Sequence, residues 1–142
     1  MPETYPIHDL YIRMFSPVTE PNIIRWPALS DHDHLLRRFG QAEVVRVLPL
    51  HKSMLRVREV ADEVWILIEG EIEFIWHDRR RDSPSYDQVH RLKGVQPTLM
   101  LVPYGVAFGY RTLNGPATLL RLATHADGEH ALDQEFPQEN GA

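Results

Sequence analysis

Hydrophobic and polar residues alternate in short segments along this chain, and turn residues separate the segments. Partial period-two alternation rich in Val, Ile, Leu, Phe and Trp is typical of β-strands. No segment keeps a 3.6-residue apolar period over twelve residues, and the only predicted helix is short, at residues 31–38, with Ser30 or Asp31 as its N-cap. The pattern therefore predicts an all-β sandwich or barrel, with strands at residues 11–15, 42–48, 53–59, 63–69, 71–78, 88–91, 98–102, 107–113 and 117–124.

Two consecutive segments indicate how such strands are layered. Residues 64–68 are apolar at every position, which predicts a strand buried on both faces. Residues 71–76 alternate, so that Ile72, Phe74 and Trp76 share one face. Gly70 lies between the two segments, where a tight turn with a positive φ is expected. This arrangement predicts a jelly roll.

Composition excludes several classes of protein. The chain has 142 residues, which suits a single domain, and it has no cysteine, which excludes disulfides, thiolate zinc sites and cysteine nucleophiles. Its net charge of −5 argues against a basic nucleic-acid binder. No apolar run is long enough to span a membrane and no signal-peptide pattern opens the chain. We therefore expect a cytoplasmic protein with neither nucleic-acid nor membrane partners.

Two motifs in the predicted strands resemble those of the cupins. In the first motif Glu63 and Gly70 have the spacing of the cupin glutamate and glycine, and Arg56 and Arg58 stand at the two histidine positions. In the second motif the cupin proline and glycine are matched at positions 103 and 105, and Phe108 stands where the histidine belongs. The resemblance implies a double-stranded β-helix, the cupin jelly-roll barrel.

A third segment narrows the resemblance to one branch. Residues 70–86 look like the G-E-V … D-x-R-x-x-S-P-T-Y/F segment of the dTDP-4-dehydrorhamnose 3,5-epimerases, with Asp78, Arg80, Ser83 and Pro84 in register. Residues 105–110 read like the G-V/F-A-H-G-Y/F of the same family. The resemblance covers residues 38–125 and implies an RmlC-like cupin whose ligand is a small anionic carbohydrate such as a nucleotide sugar.

The chain departs from the family motifs at the positions of the cupin metal ligands and of the epimerase acid and base. Arginine stays protonated and phenylalanine has no lone pair, so Arg56, Arg58 and Phe108 cannot ligate a metal, and we expect neither a metal nor another cofactor. The epimerases use no metal, but an arginine at the position of their base histidine cannot act as a general base. The family's proton-donating tyrosine has no counterpart at residues 123–128.

The sequence thus leaves the function open between two classes. One is an epimerase or isomerase with a substitute acid–base pair, for which Tyr110 with His125 or His51 are the candidates. The other is a non-catalytic, metal-free cupin that senses a ligand or takes part in an assembly.

The predicted ligand-binding residues also have two interpretations. Period-two alternation places Arg56, Arg58, Glu63, Phe108 and Tyr110 inside the barrel. The two guanidinium groups could hold a carboxylate or phosphate beside an aromatic surface. Alternatively, Glu63 could pair with both arginines and fill a vestigial pocket, or a slipped strand could turn both arginines to solvent.

The resemblance and the strand pattern together predict one cupin domain over residues 1–142. Residues 1–27 form an N-terminal arm, residues 38–125 the barrel core and residues 127–142 a polar tail. A sheet of this kind leaves an edge that needs covering, and the arm is long enough to pack across a second copy. We therefore expect a homodimer.

Overall fold

The computed structural model describes residues 6–128 and 133–138 and confirms an all-β, jelly-roll fold. Its strands are β1 (Tyr11–Met14), β2 (Val18–Glu20), β3 (Ile23–Arg25), β4 (Gln41–Val47), β5 (Leu55–Val57), β6 (Glu63–Glu69), β7 (Ile72–Asp78), β8 (Val89–Gly94), β9 (Thr98–Val102), β10 (Val106–Thr112), β11 (Ala117–Ala123) and β12 (Gln134–Phe136). All nine predicted segments contain a strand, most with ends that differ by one or two residues.

Two antiparallel five-stranded sheets form the barrel walls. Sheet I has the order β1-β9-β6-β11-β4, and sheet II has the order β12-β5-β10-β7-β8. The strand predicted to be buried on both faces, β6, lies in the middle of sheet I. Its Trp65 and Leu67 face the barrel interior, and its Val64 and Ile66 pack in a second cluster on the outer face.

The barrel interior is filled from both sheets by large apolar side chains. Ile72, Phe74 and Trp76 of β7 are fully buried there, as their alternation predicts. Each buried side chain of this size stabilises the fold by about 1.5–3 kcal/mol relative to exposure. Gly70 turns the chain between β6 and β7 with φ 104°, and a Cβ at this position would lie 2.5 Å from the Pro116 carbonyl oxygen. The predicted tight turn therefore requires glycine.

Three features differ from the predicted elements. The predicted helix at 31–38 is only a short 3-10 turn at Asp31–Asp33, because His34 takes the left-handed conformation with φ 54° and ends it. Ser30 is its N-cap, as expected. Strands β2 and β3 form an exposed hairpin in the arm, and β12 lies in the polar segment after residue 127. Strands β2 and β3 are exposed at every position, and β12 packs only Phe136 against the barrel, so none of them leaves an alternation to detect. No helix of the described residues has the length and hydropathy needed to cross a membrane.

Candidate functional site

A cavity of about 390 Å³ opens between the two sheets. Pockets that hold small ligands are commonly 300–1,000 Å³. Sheet I contributes a row of cross-strand partners, Trp65, Arg121 and Glu43, and sheet II contributes another, Glu135, Arg56 and Phe108. Because partners in register point to the same face of a sheet, each row presents neighbouring side chains to the cavity.

One wall of the cavity is aromatic. The ring centroids of Trp65 and Phe108 lie 5.2 Å apart, those of Trp65 and Tyr110 lie 5.6 Å apart, and those of Phe108 and Tyr110 lie 6.0 Å apart. These separations are typical of tilted aromatic pairs, which hold one another in place. The three rings form a rigid apolar surface.

A buried ionic network forms the wall beside the aromatic rings. Glu63 Oε2 accepts hydrogen bonds from Arg58 Nη1 at 2.6 Å and from Arg121 Nε at 2.8 Å, and Arg121 Nη2 donates to the same oxygen. Glu63 Oε1 accepts a bond from Trp65 Nε1 at 3.2 Å. Two guanidinium groups therefore pair with this buried carboxylate, chiefly through Oε2.

Arg121 lies at the centre of the network, and its side chain is only 1% exposed. It also donates to Glu43 Oε1 at 2.8 Å and to Asp127 Oδ1 at 2.7 Å. Burial alone would lower the pKa of Arg121, but the Asp127 hydrogen bond and the Glu63 charge outweigh it and raise that pKa. Burial likewise opposes ionisation of Asp127, and its bond with Arg121 lowers the pKa of this carboxyl well below its usual value. Both groups are therefore charged at neutral pH.

The two predicted arginines have different surroundings. Arg56 lines the cavity, is 32% exposed and donates to Asp127 Oδ1 at 3.0 Å. Arg58 is not on the cavity wall: its side chain is 4% exposed and contacts Glu63, Asp127 and Asp133. The burial of Arg58 contradicts the slipped-strand alternative. Arg58 departs from the predicted lining because β5 ends at Val57, so strand alternation no longer fixes its direction.

Of the candidate acid–base residues, the structure brings two together. His51 and Tyr110 both line the cavity, with ring centroids 6.5 Å apart. Burial and the nearby Glu43 charge raise the pKa of Tyr110, so this phenol is protonated at neutral pH. His125 is outside the cavity lining; its Nδ1 lies 2.8 Å from Thr124 Oγ1.

The segment that resembles the epimerase motif has a structural role in this chain. Asp78 is fully buried and accepts hydrogen bonds from Arg80 Nε at 2.9 Å, and from Ser83 Oγ and Ser85 Oγ at 2.6 Å each. Burial alone would raise the pKa of Asp78, but these bonds lower it well below its usual range. The Arg80 stem in turn packs against Gly105, whose φ is 84°. The epimerase-like and second cupin motifs therefore support each other.

The residues at the cupin histidine positions do not suit a metal ion. Arg56 and Phe108 are cross-strand partners, and neither side chain offers a lone pair. Within residues 6–128 and 133–138, no group of three His, Asp or Glu side chains is arranged to hold one.

Sequence reasoning missed the residues that complete the network: Arg121, Glu43, Asp127 and Asp133. A signal for Arg121 is present in the sequence, because it stands in β11 on the same face as the buried Ala117, Leu119 and Ala123. An arginine on the apolar face of a strand implies a buried carboxylate partner. Asp127 and Asp133 lie in polar sequence, which offers no comparable signal.

Comparison with known proteins gives one curated relative. The chain is 32% identical over 99 residues to the spore coat polysaccharide biosynthesis protein SpsL of Bacillus subtilis (strain 168). The match covers 68% of this chain and 66% of that protein, so the chain spans about two thirds of its length. No family model matches the sequence.

Several solved structures share the fold at low sequence identity. A dTDP sugar isomerase from Desulfovibrio desulfuricans G20 has a TM-score of 0.82 at 17% identity, covering 95% of this chain and 88% of that one. The epimerase RmlC from Legionella pneumophila, solved with dTDP-4-keto-L-rhamnose, has a TM-score of 0.76 at 17% identity over 84% of this chain and 69% of that one. The Mycobacterium tuberculosis rmlC epimerase has a TM-score of 0.79 at 13% identity, covering 89% and 68%.

Proposed function

Because this chain is an RmlC-like cupin that resembles the dTDP-4-dehydrorhamnose 3,5-epimerase branch, we propose that it binds a nucleotide-linked sugar in the cavity between its sheets. The relative of Bacillus subtilis, a polysaccharide biosynthesis protein, supports a ligand of this class. The observation that carries the proposal is the combination of an aromatic wall with charged groups held in fixed positions around one cavity.

The two walls suit the two faces of a sugar ring. The C–H face of a sugar packs on aromatic rings, and Trp65, Phe108 and Tyr110 offer such a surface. Sugar hydroxyl groups donate to carboxylates, and Glu43 is half-exposed at the cavity with one oxygen fixed by Arg121. Glu63 is buried and paired with two guanidinium groups, so its role is to position Arg121, and Arg58 has the same role through its pairs with Glu63 and Asp127. Arg56 donates to the ligand, because its described contacts use one of five N–H donors.

Titration calorimetry with a panel of dTDP-, UDP- and GDP-linked sugars tests this proposal. We expect wild-type protein to bind at least one member and Glu43→Gln to bind it about tenfold more weakly, since a hydrogen bond to a charged group is worth about 1.5–3 kcal/mol. Glu20→Gln is the matched control, because Glu20 pairs with Arg25 on the exposed hairpin. Failure of wild-type protein to bind any member at millimolar concentration would refute the proposal.

His51 and Tyr110 favour a second candidate function, which is isomerisation of the bound sugar. Removal of a proton next to a ketone needs a base, and its return needs an acid. Neutral imidazole can accept a proton, and the protonated Tyr110 can donate one in the same cavity. The alternative, a non-catalytic binding protein, requires no proton transfer.

Solvent exchange separates turnover from binding alone. Incubation with a dTDP-4-keto-6-deoxy sugar in D₂O should place deuterium on the carbons next to the ketone, as followed by NMR. His51→Asn and Tyr110→Phe should each slow this exchange at least tenfold while leaving the sugar bound. Binding without exchange by wild-type protein would leave the non-catalytic function.

A further inference from the structure

The hairpin of β2 and β3, which we call the arm hairpin, lies outside the apolar clusters of the barrel. Every residue from 16 to 27 is exposed, and none of them belongs to the three clusters that the described residues form. The large apolar side chains of this stretch are each about half exposed: Val18, Ile23, Ile24 and Trp26. An isolated two-stranded hairpin is at best marginally stable in water. The arm hairpin therefore needs an apolar surface on which to pack.

The strand register gives the arm hairpin apolar residues on both faces. Val18 is the cross-strand partner of Arg25, and Glu20 is the partner of Ile23, so these four side chains share one face. On that face Glu20 Oε2 lies 2.8 Å from Arg25 Nε in an exposed ion pair. Ile24 lies on the opposite face. A surface that fits the first face must accept two aliphatic side chains and a pair of opposite charges.

The outer face of sheet I offers an apolar strip that the arm leaves uncovered. Ile66, Leu120 and Val44 are cross-strand partners on neighbouring strands, so they form one row on this face. Ile68 follows Ile66 on the same face of β6. We call these four residues the apolar strip. Val44 is 70% exposed and Ile68 is 49% exposed. Beside the strip is a depression of about 350 Å³ whose lining is apolar except for Glu69. Exposed apolar patches of this kind mark interaction sites.

We propose that two copies of this chain associate by exchanging arm hairpins, each of which packs Val18 and Ile23 on the apolar strip of the other copy. Trp26 directly follows β3 and lines the depression beside the strip, so the hairpin and the strip of one copy are neighbours. A single two-fold axis can therefore pair both at once, and the contact forms twice. The opposite faces of the two hairpins, which carry Ile24, meet near the axis. This association does not depend on the ligand proposed above.

The charges beside the two surfaces are complementary. Glu69 Oε1 lies 3.9 Å from Arg46 Nη1, and both side chains are more than half exposed. Exposed ion pairs of this kind contribute little to stability, so they can exchange partners at small cost. In the dimer Glu20 meets the partner's Arg46, and Arg25 meets the partner's Glu69. Both new pairs are shielded from water by the aliphatic contact, which strengthens them.

Sedimentation of single and mixed variants tests the exchange. Ile23→Asp changes only the hairpin and Val44→Asp changes only the strip, each at an exposed position. We expect each variant alone to raise the Kd of the dimer by at least about tenfold, because each contact would bury a carboxylate without a partner. An equimolar mixture of the two should regain a dimer, since the intact hairpin of one variant packs on the intact strip of the other. Leu50→Asp is the control, because Leu50 is 95% exposed and lies outside both surfaces.

Three results would overturn the proposal. They are a monomeric wild type at micromolar concentration, a dimer that Val44→Asp leaves unchanged, and a mixture that stays monomeric. The last result would mean that the hairpins contact only each other. Circular dichroism shows whether each variant is folded. If one is not, Glu20→Arg mixed with Arg46→Glu replaces the test. That mixture should form the heterodimer in preference to either homodimer, because unlike charges then meet across the contact.

Discussion

Replacing Arg58 by Met removes one guanidinium from the buried network while keeping much of the side-chain volume. Arg58 is 4% exposed, and its Nη1 lies 2.6 Å from Glu63 Oε2. The variant would leave Glu63 with Arg121 as its remaining cationic partner, and Asp133 would lose the Arg58 Nε donor at 3.1 Å. The change therefore tests how much of the fold depends on this ion pair.

The structure indicates the size of the effect. Removal of one partner of a buried pair typically costs about 3–5 kcal/mol, because the other charge stays buried without compensation. Arg121 still satisfies Glu63 on one side, so we expect the lower end, about 3 kcal/mol of unfolding free energy. For a domain of this size the midpoint of thermal unfolding should fall by roughly 6–12 °C.

A double-mutant cycle with Glu63→Gln isolates the pair. Urea unfolding can be followed by tryptophan fluorescence, since Trp65 Nε1 donates to Glu63. We expect Arg58→Met with Glu63→Gln to be more stable than the sum of the single variants predicts, by about 1–3 kcal/mol. Arg37→Met is the control, because Arg37 is half-exposed in its pair with Asp62 and should cost at most about 1 kcal/mol. A loss below about 0.5 kcal/mol for Arg58→Met, or additive single effects, would refute the reasoning.

Three further predictions address other parts of the molecule. Asp78→Asn should lower the free energy of unfolding by about 2 kcal/mol or more, measured by urea unfolding at pH 7. The folded state depresses the pKa of Asp78 below its unfolded value of about 3.9. The difference in unfolding free energy between wild type and variant should therefore narrow as pH falls below about 4. Gly105→Ala should destabilise by at least about 1 kcal/mol, because φ is 84° and the new Cβ would meet the Arg80 side chain at 2.4 Å, whereas Gly115→Ala has open space and should not. The half-exposed Ile24 of the arm hairpin suits a dimer contact. Sedimentation should therefore give twice 16.5 kDa for wild type and 16.5 kDa for Ile24→Asp. A mass of 16.5 kDa for wild type would contradict the dimer.

The strands of the barrel could be predicted because burial imposes a pattern on them. Ile72, Phe74 and Trp76 recur at every second position because one face of β7 lies in the barrel interior, while Ile75 on the other face packs in a smaller apolar cluster. Strands β2, β3 and β12 could not be predicted, because pairing through backbone groups places no such demand on side chains. The helix expected at 31–38 ended early at His34, whose left-handed conformation is not encoded by any apolar period.

The candidate site could be predicted only in part, because alternation places only those side chains that lie within strands. Alternation along β5, β6 and β10 correctly placed Arg56, Glu63, Phe108 and Tyr110 at one cavity. The residues that pair with the charged groups of the network come from β4, from β11 and from the chain after β11. Asp127 and Asp133 contact the network from outside the barrel strands, and local sequence does not reveal these contacts.

The dependence of the network on Asp127 and Asp133 also has a consequence for the order of folding. During synthesis from the N-terminus, Arg58 leaves the ribosome long before these two carboxylates do, and Arg121 shortly before them. Until they arrive, closing the barrel would bury cations against fewer carboxylates, which is unfavourable. We therefore expect the barrel to complete its interior only after the segment that carries Asp127 and Asp133 has been made.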